Sequence, residues 1–88
     1  MTTEEKKTYF TKKCEEYARK KRIRSGNIFL IYKSRVEQGI ALTPNMLHHF
    51  VKFAHRDIGA NEQVVYQHFS DLLVNPSETK ATLEQFFS

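Results

Sequence analysis

The sequence predicts an all-α protein, and three observations carry that reading. Apolar residues recur at helical spacing in separate stretches along the 88-residue chain. Those stretches are bounded by helix-start and helix-stop chemistry at Thr2-x-x-Glu5, Gly39, Thr43-Pro44, Gly59, Asn61 and Asn75-Pro76. The composition, 40% hydrophobic and 27% charged, suits a globular chain and is too apolar for disorder. The expected architecture is a small four-helix domain over residues 1–76 with a C-terminal peptide motif over residues 77–88.

The first helix should start at Thr2, whose hydroxyl caps it while Glu5 completes a capping box. Phe10, Cys14, Tyr17 and Ala18, with Tyr9 beside them, form its apolar face. Ser25-Gly26-Asn27 reads as the break, with Gly26 in the left-handed position after one helix and Asn27 capping the next. The second helix is expected from about Ile28 to Gln38, closing on Gly39. Ile28, Phe29, Leu30, Ile31 and Tyr32 are apolar almost all round, which marks a central buried helix. Should part of that surface meet a partner instead, Phe29 and Tyr32 are the expected contacts. A strand is the competing reading for residues 28–32, but the polar stretch that follows, 33–39, continues as a helix end.

Ile40-Ala41-Leu42 is a short apolar linker, and Thr43-Pro44 is an N-cap followed by proline at the first helical position. The third helix, Pro44 to Ile58, sets Leu47, Phe50, Val51, Ala54 and Ile58 on one face, and Gly59 closes it. Asn61 caps a fourth helix in which Val65, Tyr66, Phe69, Leu72 and Leu73 repeat the pattern. Asn75-Pro76 ends it, because the residue before a proline is pushed out of the α region.

The net charge of +4 is unevenly distributed. Residues 1–24 carry nine Lys/Arg against four Glu, residues 25–76 are neutral, and residues 77–88 have a net charge of −1. The run Arg19, Lys20, Lys21, Arg22 and Arg24 has two readings. It is either the dipole-favoured C-terminal turn of a long helix or a patch for the DNA backbone or an acidic partner. A helix-turn-helix built on the third and fourth helices is disfavoured, since residues 62–74 carry two acids and no Lys or Arg.

Little in the sequence points to catalysis, and the chain reads as a non-enzyme with no cofactor, metal or small-molecule substrate. Cys14 lies on an apolar face with no identifiable base, which suits a buried, inert thiol. His48, His49, His55 and His68 lack a matching acidic or cysteine pair and read as solvent- or partner-facing. A lone cysteine rules out an intramolecular disulfide, and no signal-peptide core follows the charged start. The longest apolar run, Ile28–Tyr32, falls far short of the roughly 18 residues of a membrane span. A soluble, cytoplasmic protein without a membrane partner is expected.

The closing residues hold the most specific signal. If they make one helical turn, Leu83, Phe86 and Phe87 share a face at i, i+3 and i+4, behind a polar Ser77-Glu78-Thr79 tether. Such a plug either folds back on the core or serves a partner as an anchor. Lys80-x-x-Leu83-x-x-Phe86-Phe87 resembles the PIP box, the sliding-clamp-binding peptide with the pattern Gln-x-x-aliphatic-x-x-aromatic-aromatic. Lys80 departs from the usual glutamine, though archaeal versions use lysine there. The match covers residues 80–87 only. The tail is also similar to the C-terminal peptides of tailed-phage late-transcription factors, and the small helical plan resembles the phage late-transcription coactivator. That resemblance implies a sliding clamp as partner, with RNA polymerase as the second body, in the host cytoplasm if the protein is viral. An accessory subunit of a clamp-bound DNA polymerase is the rival reading. From another class comes a small basic nucleic-acid-binding protein whose tail packs on its own core.

Overall fold

The computed structural model describes the backbone of residues 2–20 and 24–87, and the side chains of all of these except 24–27. Among the described residues the protein is all-α, with five helices and no strand. Contacts divide the chain into two compact units, Met1–Ile40 and Ala41–Ser88, so residues 77–88 belong to the second unit.

The first unit pairs α1 (Thr3–Lys20) with α2 (Arg24–Glu37). The Thr2 hydroxyl accepts the Glu5 N–H at 3.2 Å and donates to the Glu5 carboxylate at 3.3 Å, which caps α1 as its sequence suggests. Tyr17 meets Phe29, and Glu15 pairs with Lys33, so the helices run antiparallel. Phe10, Cys14 and Tyr17 of α1 and Phe29, Tyr32 and Val36 of α2 are buried. Phe29 sits edge-on to Tyr17 at 5.5 Å and to Tyr32 at 5.9 Å, the geometry that the aromatic quadrupole favours. At the end of α2 the Gly39 N–H reaches the Val36 carbonyl and the Ile40 N–H reaches that of Arg35. This is a Schellman closure, and Gly39 takes the required left-handed φ of 77°.

Two expectations for this unit need correction. Ser25, Gly26 and Asn27 do not separate the helices; they lie in the first turn of α2, which begins at Arg24. Backbone donors in a first turn have no intrahelical acceptor in any case, so poor helix formers are tolerated there. The connection therefore falls at residues 21–23, which lie outside the described residues. Nor is α2 buried all round. Phe29 and Tyr32 are interior, whereas Leu30 is 47% and Ile31 is 56% exposed. A 3.6-residue period cannot bring five consecutive positions to one side, and α1 covers only one face of α2.

The second unit is built from α3 (Pro44–Ile58), α4 (Glu62–Leu73) and α5 (Pro76–Phe86). Thr43 accepts the Met46 N–H at 3.3 Å and Asn61 accepts the Val64 N–H at 2.9 Å, each fixing the start of a helix. Gly59, at φ 78°, closes α3 by donating its N–H to the His55 carbonyl. Leu47, Phe50, Val51 and Ala54 of α3 are buried, as are Val65, Tyr66, Phe69 and Leu73 of α4, while Ile58 at the end of α3 stays partly exposed. Phe50 and Phe69 meet edge to face at 5.6 Å. Leu42 is buried and donates its N–H to the Leu73 carbonyl at 2.9 Å, so the expected linker is partly core.

The fifth helix was not expected. Asn75-Pro76 ends α4, but the same dipeptide starts α5, with Pro76 at the first helical position and Glu78 in the first turn. Ser77, Glu78 and Thr79 are therefore helical rather than a tether. The Asn75 carbonyl accepts both the N–H and the hydroxyl of Thr79, at 2.9 and 3.1 Å. Asn75-x-x-Glu78 is itself a helix-start pattern, so the signal was present in the sequence.

Candidate docking surfaces

The tail is three turns of helix resting on its own unit. α5 contacts α4 and, more lightly, α3, and its buried residue is Thr82. The face carrying Thr82 also carries Leu83, Phe86 and Phe87, so the expected i, i+3, i+4 grouping is present. The three apolar side chains are not equally engaged. Phe87 lies 5.5 Å from Tyr66 of α4 and 5.2 Å from His48 of α3, between ring centroids. Phe86 stacks on the same imidazole at 4.5 Å and 17°, yet remains 39% exposed. Leu83 is half-buried and Lys80 is exposed.

This seat for the tail is electrostatically unfinished. The Nδ1 of His48 and the hydroxyl of Tyr66 are buried without a hydrogen-bond partner. Orphaned polar atoms of this kind cost about 1–3 kcal/mol each relative to hydration. Thr82 lies near enough to Tyr66 to oppose the rise in its phenol pKa that burial causes, but no contact between them has hydrogen-bond geometry. Burial first, and then the Lys52 charge, pull the His48 imidazole below its usual value, against Glu62, which raises it. His49 shifts the same way, again through burial first.

The histidines are thus not a uniform surface set. His48 holds the tail, His49 packs edge-on to Phe53 at 5.3 Å, and His55 Nε2 lies 3.7 Å from Glu62 Oε1. His68 is exposed beside Phe69. Among the described residues no group of three or more His, Cys, Asp or Glu could hold a metal ion. Cys14 is fully buried, and burial pushes its thiol up to about 12, which suits the expected inert role.

The basic run is divided by the fold. Arg19 and Lys20 are exposed in the last turn of α1, and Lys20 Nζ lies 3.5 Å from Glu16 Oε1. Lys21 and Arg22 lie outside the described residues, and Arg24 falls at the start of α2. The dipole argument that favours Arg19 and Lys20 at a helix C-terminus therefore does not extend to Arg24. Phe29 and Tyr32, the expected partner contacts, are interior to the hairpin. The apolar side chains that α2 exposes are Leu30, Ile31 and, at its edge, Ile28.

Sequence reasoning found the tail residues but missed their seat, His48 and Tyr66. Tyr66 was expected in the core and His48 was read as outward-facing, and no local signal joins positions so far apart in the chain. No helix among the described residues is long and apolar enough to cross a membrane. Comparison of the chain with protein families, with characterised proteins and with solved structures finds no match. Fold and surfaces define a class only: a small all-α protein with apolar residues exposed at α2 and at the end of α5.

Proposed function

We propose that this protein is a non-enzymatic accessory factor that docks on a DNA sliding clamp through Leu83, Phe86 and Phe87 and bridges the clamp to a polymerase. The observation that carries the reading is the disposition of α5. Its last turn holds an aliphatic and two aromatic side chains on one face, and Phe86 is already partly exposed. Clamp engagement requires Phe87 to leave His48 and Tyr66. The two unpartnered polar atoms beneath it favour that release, since undocking returns both to water. The second body is an RNA polymerase, with the protein as coactivator, or a DNA polymerase, with the protein as subunit. Tethering either one to the ring raises its local concentration on DNA.

Phe86→Ala is the informative variant. It removes an exposed anchor, so affinity for the clamp of the same organism should fall by about tenfold or more. The melting temperature should drop by no more than about 8 °C. A larger fall in melting temperature with unchanged clamp binding would identify the tail as core alone.

A second reading is nucleic-acid binding through Arg19, Lys20, Lys21, Arg22 and Arg24. It is favoured by the charge of the first unit, which carries eleven Lys/Arg against five acids. Salt-dependent DNA binding that is lost when these five are neutralised would support it. Absence of binding at low salt would remove it.

A further inference from the structure

Packing and polar chemistry conflict where the tail is held. Phe86 stacks on the His48 imidazole, and Phe87 meets the same imidazole edge-on and the Tyr66 ring at a tilt. In that seat the Tyr66 hydroxyl and His48 Nδ1 are buried without partners. A neutral imidazole carries a proton on one nitrogen, so a bare Nδ1 forgoes a single hydrogen bond. An imidazolium carries protons on both nitrogens, and the buried Nδ1 would then hold a charged N–H with no acceptor. The charges that reach the ring do not compensate. Lys52, on the same helix, opposes a proton there, and Glu62 of α4 favours one by less. His49, the next residue of α3, adds a charge of the same sign when it is protonated. From α5 the ring meets the uncharged Phe86 and Phe87. Stacking on Phe86 returns part of the cost, but a cation–π contact at an exposed ring is worth less than a buried charged donor without an acceptor costs.

We infer that the seat formed by His48 and Tyr66 is an autoinhibitory latch, which holds Phe86 and Phe87 against the second unit while His48 is neutral and releases them when His48 takes up a proton. Lifting the two rings off the imidazole opens it to water, where the second N–H finds an acceptor. The held form is therefore favoured above about pH 6.5, the usual value of a free imidazole, and loses ground as pH falls through the lower value of the held one. The Tyr66 hydroxyl sets the balance. A phenol kept from water without a partner weakens the held form, so one proton is enough to shift it. What the latch regulates rests on the docking reading above, because Phe86 and Phe87 are the anchors which that reading assigns to the clamp. The latch itself needs only contacts within residues 41–88.

Fluorine NMR of the full-length protein, with para-fluorophenylalanine in place of Phe87, separates held from released tails without any partner. Between pH 8 and pH 5.5 the released-to-held ratio should rise by about three- to tenfold, the upper limit being set by a free imidazole that titrates near 6.5. His48→Phe keeps a stacking ring and removes the titration, so it should abolish that rise. His49→Gln should keep most of it, and helical circular dichroism should persist in both variants. Tyr66→Phe deletes the orphan hydroxyl and keeps the ring, so it should lower the ratio at pH 8 by at least about threefold. A ratio equal at the two pH values, a rise that survives His48→Phe, or a ratio not lowered by Tyr66→Phe would overturn the latch. Binding to the sliding clamp of the same organism separates the two proposals. Tyr66→Phe should bind it more weakly than the native chain at pH 8, in proportion to the smaller released fraction. Clamp binding that ignores the released fraction would overturn autoinhibition. A released fraction that responds as stated, with no clamp binding by any form, would support the latch and sink the docking reading alone.

Discussion

The two units differ in charge and in the chemistry they expose. The helical hairpin of residues 1–40 has a net charge of +6 and exposes branched aliphatics on α2. The three-helix unit of residues 41–88 has a net charge of −2 and ends in an aromatic pair, one ring seated on its own core and the other partly exposed. Each has its own buried aromatic cluster, Tyr17–Phe29–Tyr32 in one and Phe50–Phe69 in the other.

The largest expected effects test the interior of each unit. Phe29→Ala and Phe50→Ala remove fully buried rings and should each cost about 3–5 kcal/mol in chemical denaturation. Ile31→Ala, two residues along the same helix from Phe29, should cost under about 1 kcal/mol. Equal losses at 29 and 31 would break the assignment of an inner and an outer face to α2.

The tail gives the next contrast. Phe87→Ala loses the contacts with Tyr66 and His48 and should cost about 2 kcal/mol, with Phe86→Ala costing about half that. If Phe86→Ala proved the more damaging to stability, the seat would have to be reassigned.

The two glycine closures permit a matched comparison between units. A Cβ at Gly39 or Gly59 meets nothing within 4 Å, so only the left-handed backbone opposes alanine. Gly39→Ala and Gly59→Ala should each cost about 1 kcal/mol in thermal melts. A cost well beyond that at one site would indicate packing there that the geometry does not contain.

The smallest effect is a pH dependence confined to the second unit. His48 and His49 titrate below their usual 6.5 in the folded protein, so the unfolded chain binds protons first as pH falls. Their contribution to stability is complete above pH 6.5 and is lost as pH falls through the lowered folded values. The groups facing His48 are Lys52, which adds to its shift, and Glu62, which opposes it. Melts at pH 8 and pH 5.5 should show a smaller difference for His48→Gln with His49→Gln than for the native chain. An unchanged difference would exclude these two imidazoles as its source.

Much of the fold was legible because its signals are local. Thr2, Thr43 and Asn61 act on N–H groups three residues away, and Gly39 and Gly59 act through their own φ. The fifth helix was legible too, in Asn75-Pro76-Ser77-Glu78, but a proline after one helix reads more readily as a stop than as a start. The run from Ile28 to Tyr32 was ambiguous in a deeper way. Five consecutive apolar residues define no face by themselves, so their pattern is equally consistent with full burial and with an exposed patch.

The sequence by itself determined where α1 begins, where α2 ends, and where α3 and α4 begin and end, because caps, prolines and left-handed glycines act within one turn of the chain. It also identified Leu83, Phe86 and Phe87 as a set, because their spacing is a property of one helix. Only the tertiary structure decided that Phe87 is held by His48 and Tyr66 while Phe86 is left accessible, and that α2 buries Phe29 while exposing Ile31. Those outcomes depend on which neighbouring helix covers which side, and that is set by packing between residues far apart in the chain.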